Sequence, residues 1–314
     1  MSRMIISTPD ALRQSVEAAT GGRMTVLYDD HGLPNYMYVI PRFRYEDLGF
    51  DGELGSGVVT AFLVDGEEKD EIFIGAYQAS QVGNVACSLP GRKVWRTINW
   101  DDSLAACTTK GSGWHMMTVH EWAAVALFCK ANGYEPTGNT DHGRHHDNHH
   151  EFGRREDGGT LGDSSGTGNI LTGTGPDAWR HDGSPTGISD LVGNVWEWLW
   201  GLKLVNGRIY AAPDNDTSLD EGDWEDTGVD VPDVSSTSFE GWLTDGTELT
   251  DRLLVSEAGI IPQGSVWTDD TDERFPRRGG HRSSGSDAGL ATLALGTSRS
   301  LSAVGTGFRA AFAP

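Results

Sequence analysis

Cysteine is scarce in this chain of 314 residues: only Cys87, Cys107 and Cys129 occur, and none follows position 129. An odd count without metal-type spacing argues against a disulfide framework or a thiolate metal site. Cys107 and Cys129 lie in apolar helical text and are expected as reduced core residues. Basic residues are also few, 24 against 46 acidic, which leaves a formal charge of −22. A surface this acidic repels nucleic acid and anionic membrane, so neither is expected as a partner. Long apolar runs are missing, and no stretch reaches membrane-spanning length. The opening MSRMIISTPDALRQSVEAATGG has no continuous apolar core or clear cleavage site. The expectation is synthesis in the cytoplasm without a signal peptide, and any exit by another route.

Glycine and tryptophan are abundant, 42 and 11 residues. With few amphipathic helices, they predict a loop-rich α+β chain. A cap at Ser7 or Thr8, followed by Pro9 and Asp10, predicts a helix over 9–19 that stops at Gly21-Gly22. Two β-rich runs follow around a turn at 29–35, giving a small αββ unit. This unit is either an attachment or oligomerisation piece or a packing extension of the main domain. Asp65-Gly66 marks a turn between strands. Asp101 or Asp102 opens a short helix, and Thr118 with Glu121 forms a capping box for a second. On that helix Trp122, Val125, Ala126 and Cys129 share one face. Asn206-Gly207 between apolar runs predicts a hairpin. In GNVWEW, Val195, Trp196 and Trp198 should be buried, and Asn194 and Glu197 must find partners if enclosed.

Two clusters invite a metal reading. His142, His145, His146, His149 and His150 are potential ligands, but Arg144, Arg154 and Arg155 are interspersed and no regular frame spaces the imidazoles. A solvated loop is the simpler account. Asp214 and Asp216, in an acidic stretch, are candidate ligands for a structural calcium, yet no EF-hand order is present. The expectation is therefore no certain cofactor, with the metal question open.

Four pieces stand in a fixed order: VDGEEKDEIFIGAYQ, NWDDSLAAC with TVHEWAAVALF, GNVWEW, and RRGG leading to GFR. Together they resemble the formylglycine-generating, or sulfatase-modifying, branch of the C-type lectin fold. The resemblance covers roughly 62–312. It implies an N-terminal extension over 1–58 and a C-type lectin-like domain over 59–314, with an acidic insertion at 203–262. Within that branch the chain is most similar to the variable proteins of diversity-generating retroelements, including prophage-borne ones. Their C-terminal frame matches Arg278, Gly279, Gly280, Gly285, Ser286, Ala288, Gly289, Leu293, Leu295, Arg299, Ser300, Ser302, Gly307, Phe308 and Arg309.

Between those fixed positions the resemblance places a diversified set, about 278–309. It comprises His281, Arg282, Ser283, Ser284, Asp287, Ala294, Gly296, Thr297, Leu301, Ala303 and Gly305. Every residue in it is reachable from an asparagine codon by changes at adenines. His281, Arg282 and Asp287 are its strongly polar members and the expected anchors of a ligand. The implied function is a non-enzymatic display protein that binds a protein or glycan, for example a cell-surface receptor. It would sit on a virion or a bacterial surface and could form a homo-oligomer. Formylglycine-generating enzymes hold copper through C-terminal cysteines, and this chain has none there. The competing readings are a metal-dependent oxidase or hydrolase using the His142 to His150 cluster, and a structural phage tail component.

Overall fold

A computed structural model describes residues 10–49, 56–238, 248–249, 252, 254–255 and 262–314. The first helix, Ala11–Thr20, is capped by Asp10, whose carboxylate accepts the Arg13 amide at 3.0 Å. This corrects the expected cap at Ser7 or Thr8, which with Pro9 lie outside the described residues. An acid directly before the helix reaches the free amide three residues on. Gly21 closes the helix in the left-handed region, φ 61°. The hairpin Met24–Tyr28 and Pro34–Pro41 follows.

That hairpin belongs to a five-stranded antiparallel sheet. Its strands run in the order 24–28, 34–41, 71–75, 310–312 and 114–116. The N-terminal segment is thus hydrogen-bonded into the sheet that holds the end of the chain.

The helix Trp100–Thr108 is capped by Asn99, which accepts the Asp102 amide, rather than by Asp101 or Asp102. Both acids fall in the first turn, where the helix dipole favours them. Thr118 and Glu121 form the expected reciprocal box ahead of Val119–Ala131. One difference matters: the sequence predicts a single buried face for this helix, yet every residue from Val119 to Leu127 is buried. It packs in one cluster with Ile72, Ile74 and Ala311 from the first sheet and Val266, Leu293 and Leu295 from another. A helix enclosed on several sides has no polar face to show.

The second large sheet has six strands, ordered 234–238, 265–268, 293–295, 277–278, 196–198 and 306–308. A four-stranded sheet contains the hairpin at Asn206-Gly207, with φ 48° and 81° as a two-residue turn requires. Part of the acidic stretch is therefore sheet, with Leu204, Ile209, Trp224 and Val231 buried. Cys107 and Cys129 are free and buried, as expected, and Cys87 is free and buried as well. No helix among the described residues is long and apolar enough to cross a membrane.

Candidate ligand-binding surface

The six-stranded sheet decides which C-terminal residues face outward. One row of partners across it reads Val266, Leu293, Arg278, Glu197 and Gly307. The next reads Trp267, Ala294, Arg277, Trp198 and Phe308. Successive strand residues point to opposite faces, so the first row turns to the main core, where Val266 and Leu293 are buried. The second row turns the other way. There a second cluster around Trp100 and Phe275 covers Trp198 and Phe308, while Trp267 stays half-buried and Trp196 keeps 9% of its surface.

Trp196 and Trp267 meet edge to face at 5.6 Å. The Arg277 guanidinium lies 5.4 Å from the Trp196 ring and 5.3 Å from Trp198, an arrangement attractive to a cation. Its amines donate to Thr306 Oγ1 at 2.8 Å and Thr297 Oγ1 at 2.6 Å. Burial pulls its pKa down to about 10, so it remains a cation at neutral pH without a carboxylate partner among the described residues. Two tryptophans and a cation thus form a rigid floor.

The loop after Arg278 crosses this floor. Gly279 and Gly280 hold φ 88° and 82°, and a Cβ on Gly279 would lie 2.3 Å from the Leu191 carbonyl oxygen. Only glycine fits that turn. His281 stands 6.3 Å from Trp196 and shares a hydrogen bond between Nδ1 and Ser284 Oγ at 2.8 Å. Burial, then the nearby Arg282 charge, lowers its pKa to about 4, leaving a neutral ring. The Arg282 backbone is pinned, its amide donating to the Asn194 carbonyl and its carbonyl accepting the His142 amide.

The eleven expected site residues differ in placement. His281, Arg282, Ser284 and Gly305 come together: a Cβ on Gly305 would lie 2.5 Å from His281 Cδ2 and 3.3 Å from Arg282 Nη1. Ser283 and Gly296 are exposed, and Ala303 is half-buried. Asp287 accepts from Ser265 Oγ at 3.1 Å, on the face that carries Trp267. Leu301 packs instead against the second cluster. Ala294, Thr297 and Gly305 are buried, which corrects the expectation that the interspersed side chains are free at the surface. Ala294 is flanked by Trp267 and Arg277, Thr297 holds Arg277, and Gly305 lies against His281. Sequence reasoning missed Trp267, Arg277 and Thr306. A period-2 reading of SVWT with Val266 inward would have turned Trp267 outward.

The framework below is closely bonded. Asn194, at φ 63°, accepts the Ile170 amide through Oδ1 and donates to Gln78 Oε1. Glu197 is bound by Arg309 and Gln78. Both polar groups of GNVWEW therefore have the partners their burial demands.

The histidine segment folds on itself. His145 Nδ1 accepts the amides of Asp147 and Asn148, His146 Nδ1 meets Thr140 Oγ1, and His149 Nε2 meets the His146 carbonyl. Asp214 and Asp216 serve loop turns, accepting the amides of Asp216 and Ser218. No group of three or more metal-ligating side chains occurs among the described residues.

By architecture this is a loop-rich α+β protein with a tryptophan-floored surface at its C-terminal strands. No protein-family model matches the chain, and no curated protein matches it. Among solved structures it is similar to that of PvdO from Pseudomonas aeruginosa, at 13% identity, 92% of this chain, 98% of that one and a TM-score of 0.38. It is also similar to the I1 variant of Major Tropism Determinant, at 12% identity, 92% and 71% coverage and a TM-score of 0.36. The P3c variant follows at 11%, the same coverage and 0.35.

Proposed function

We propose that the chain is a ligand-binding display protein of the C-type lectin-like, diversity-generating retroelement type, and not an enzyme. One observation carries this reading. Strand alternation sends Leu293, Val266 and Arg278 into the core and sets Trp267, Ala294 and Arg277 on the other face, beneath the loop that holds His281 to Ser284. The fixed Leu293 and Arg278 and the interspersed Ala294 thereby lie on opposite faces of the sheet. The thiol chemistry of the enzymatic branch has no support here. All three cysteines are buried, and burial raises each thiol's pKa, against the thiolate that copper ligation and redox chemistry need.

The ligand is a protein or a glycan on a cell surface, and the setting is a virion or a bacterial envelope. Sequencing the gene in independent isolates tests this. Substitutions confined to the interspersed positions of 278–309, beside a template copy differing only at adenines, are expected. Substitutions spread evenly along 59–314 would overturn the reading.

A further inference from the structure

A cleft of 590 Å³ opens beside the ligand surface, lined by Arg92, Lys93, Trp95, Arg96 and Glu156 among others. Its size falls in the range, about 300–1,000 Å³, in which small ligands are enclosed. It is basic in a chain of formal charge −22. Arg92 and Lys93 are exposed and make no ion pair among the described residues, although acids outnumber bases nearly two to one. Their backbone is fixed: the Arg92 amide donates to Thr172 Oγ1, its carbonyl accepts the Thr172 amide, and the Trp95 amide donates to the Ala79 carbonyl. Two free cations therefore stand on a rigid rim.

The inner wall carries a different chemistry. Glu156 is 2% exposed through its side chain and pairs by Oε1 with Arg96 Nη2. Its other oxygen, Oε2, is buried with no hydrogen-bond partner among the described residues, and so is Arg96 Nε. A buried carboxylate oxygen left unmatched costs free energy until a donor reaches it. Trp95 adds an aromatic surface, its ring held edge-on at 5.5 Å by Phe308.

We propose that this cleft binds an acidic saccharide, its carboxylate held by Arg92 and Lys93, a hydroxyl donating to Glu156 Oε2, and its ring lying against Trp95. A simple anion would satisfy the rim and leave Glu156 repelling it. A neutral sugar would satisfy Glu156 and leave the rim cations unused. Only a molecule carrying both an anionic group and hydroxyl donors uses every feature. The inference goes beyond the display reading and does not depend on it, since none of the five residues lies within 278–309.

Calorimetric titration of the full chain with trigalacturonate, a neutral galactose trimer and inorganic phosphate tests it. Trigalacturonate should bind more tightly than either of the others, and more weakly as salt is added. Arg92→Ala with Lys93→Ala, both at exposed positions, should weaken trigalacturonate about tenfold. Glu156→Gln separates the two halves of the site. It should weaken the saccharide, which loses a charged acceptor, and strengthen phosphate, which loses a repelling charge. Equal affinity for phosphate and trigalacturonate, equal affinity for the neutral trimer, or no binding by any probe would each overturn the proposal. So would a Glu156→Gln variant that tightens both anions. Binding with that pattern in a chain whose 278–309 segment proves invariant would leave this site standing and the display reading fallen.

Discussion

The Arg309 guanidinium forks onto the Glu197 carboxylate, Nε to Oε2 at 3.0 Å and Nη2 to Oε1 at 2.8 Å, with both side chains buried. The same guanidinium donates to the carbonyls of Gly75 at 2.7 Å and Ser189 at 2.8 Å. Arg309 sits where the chain leaves the six-stranded sheet at Phe308 and enters the five-stranded one at Ala310. It therefore ties the two sheets through one planar group. Removing one partner of a buried pair leaves the other uncompensated, so Arg309→Ala should cost about 3–5 kcal/mol. Arg309→Lys should recover only part of this, because an ammonium lacks the fork. Urea denaturation of both variants measures it, and a loss below about 1 kcal/mol for Arg309→Ala would show that the sheets hold together without the tie.

Asn194 combines a left-handed backbone with buried side-chain bonds, and two substitutions separate these contributions. Asn194→Gly keeps φ 63° accessible but loses the bonds to Ile170 and Gln78. Asn194→Ala loses the bonds and adds left-handed strain. The alanine variant should be less stable than the glycine one by about 1–2 kcal/mol, and both should fall below the parent. Thermal denaturation decides, and equal stability of the two variants would mean that the backbone relaxes.

What the sequence disclosed was local. The Thr118 and Glu121 box and the Asn206-Gly207 turn each depend on residues within a few positions of one another. Arg309 and Glu197 are 112 positions apart, and a pair at that separation leaves no periodic signal. Ala294, Thr297 and Gly305 read as small surface residues because composition does not report what lies above them. Their burial comes from Trp267, Arg277 and His281, which the fold brings in from other strands and loops. Asn99, Asp101 and Asp102 are all capping residue types within four positions, and composition alone does not decide among them.

Acid should weaken the fold before carboxylates protonate. Burial lowers His120 to about 3, and His181 and His281 to about 4. An unfolded histidine titrates near 6.5. As pH falls from about 6.5 toward about 4, the unfolded chain takes up protons that these folded rings refuse, so stability drops through that window. His115 works in the opposite sense, its pKa raised on balance by Glu121 against the pull of burial. Its contribution is complete below 6.5 and fades only as pH rises through the raised value, so it does not mask the acid-side loss. Urea midpoints measured down the pH series should fall steadily below about pH 6.5. His281→Asn should flatten that slope by about one proton, and an unchanged slope would show that the ring protonates within the fold.

The contact between His281 and Gly305 limits which side chains position 305 accepts. A Cβ at position 305 meets His281 Cδ2 at 2.5 Å and Arg282 Nη1 at 3.3 Å, and Arg282 Nη1 also reaches the Val304 carbonyl. A side chain at 305 must displace the imidazole from beside Trp196. Gly305→Ser should therefore cost about 1–3 kcal/mol with His281 present, and much less after His281→Ala. A double-mutant cycle should return a coupling of about 0.5 kcal/mol or more. Ser283, exposed and without a side-chain hydrogen bond among the described residues, should accept alanine within about 0.5 kcal/mol. If 281 and 305 prove additive, the two positions accept substitutions independently. If they couple, the surface accepts only pairs of residues that share the space over Trp196.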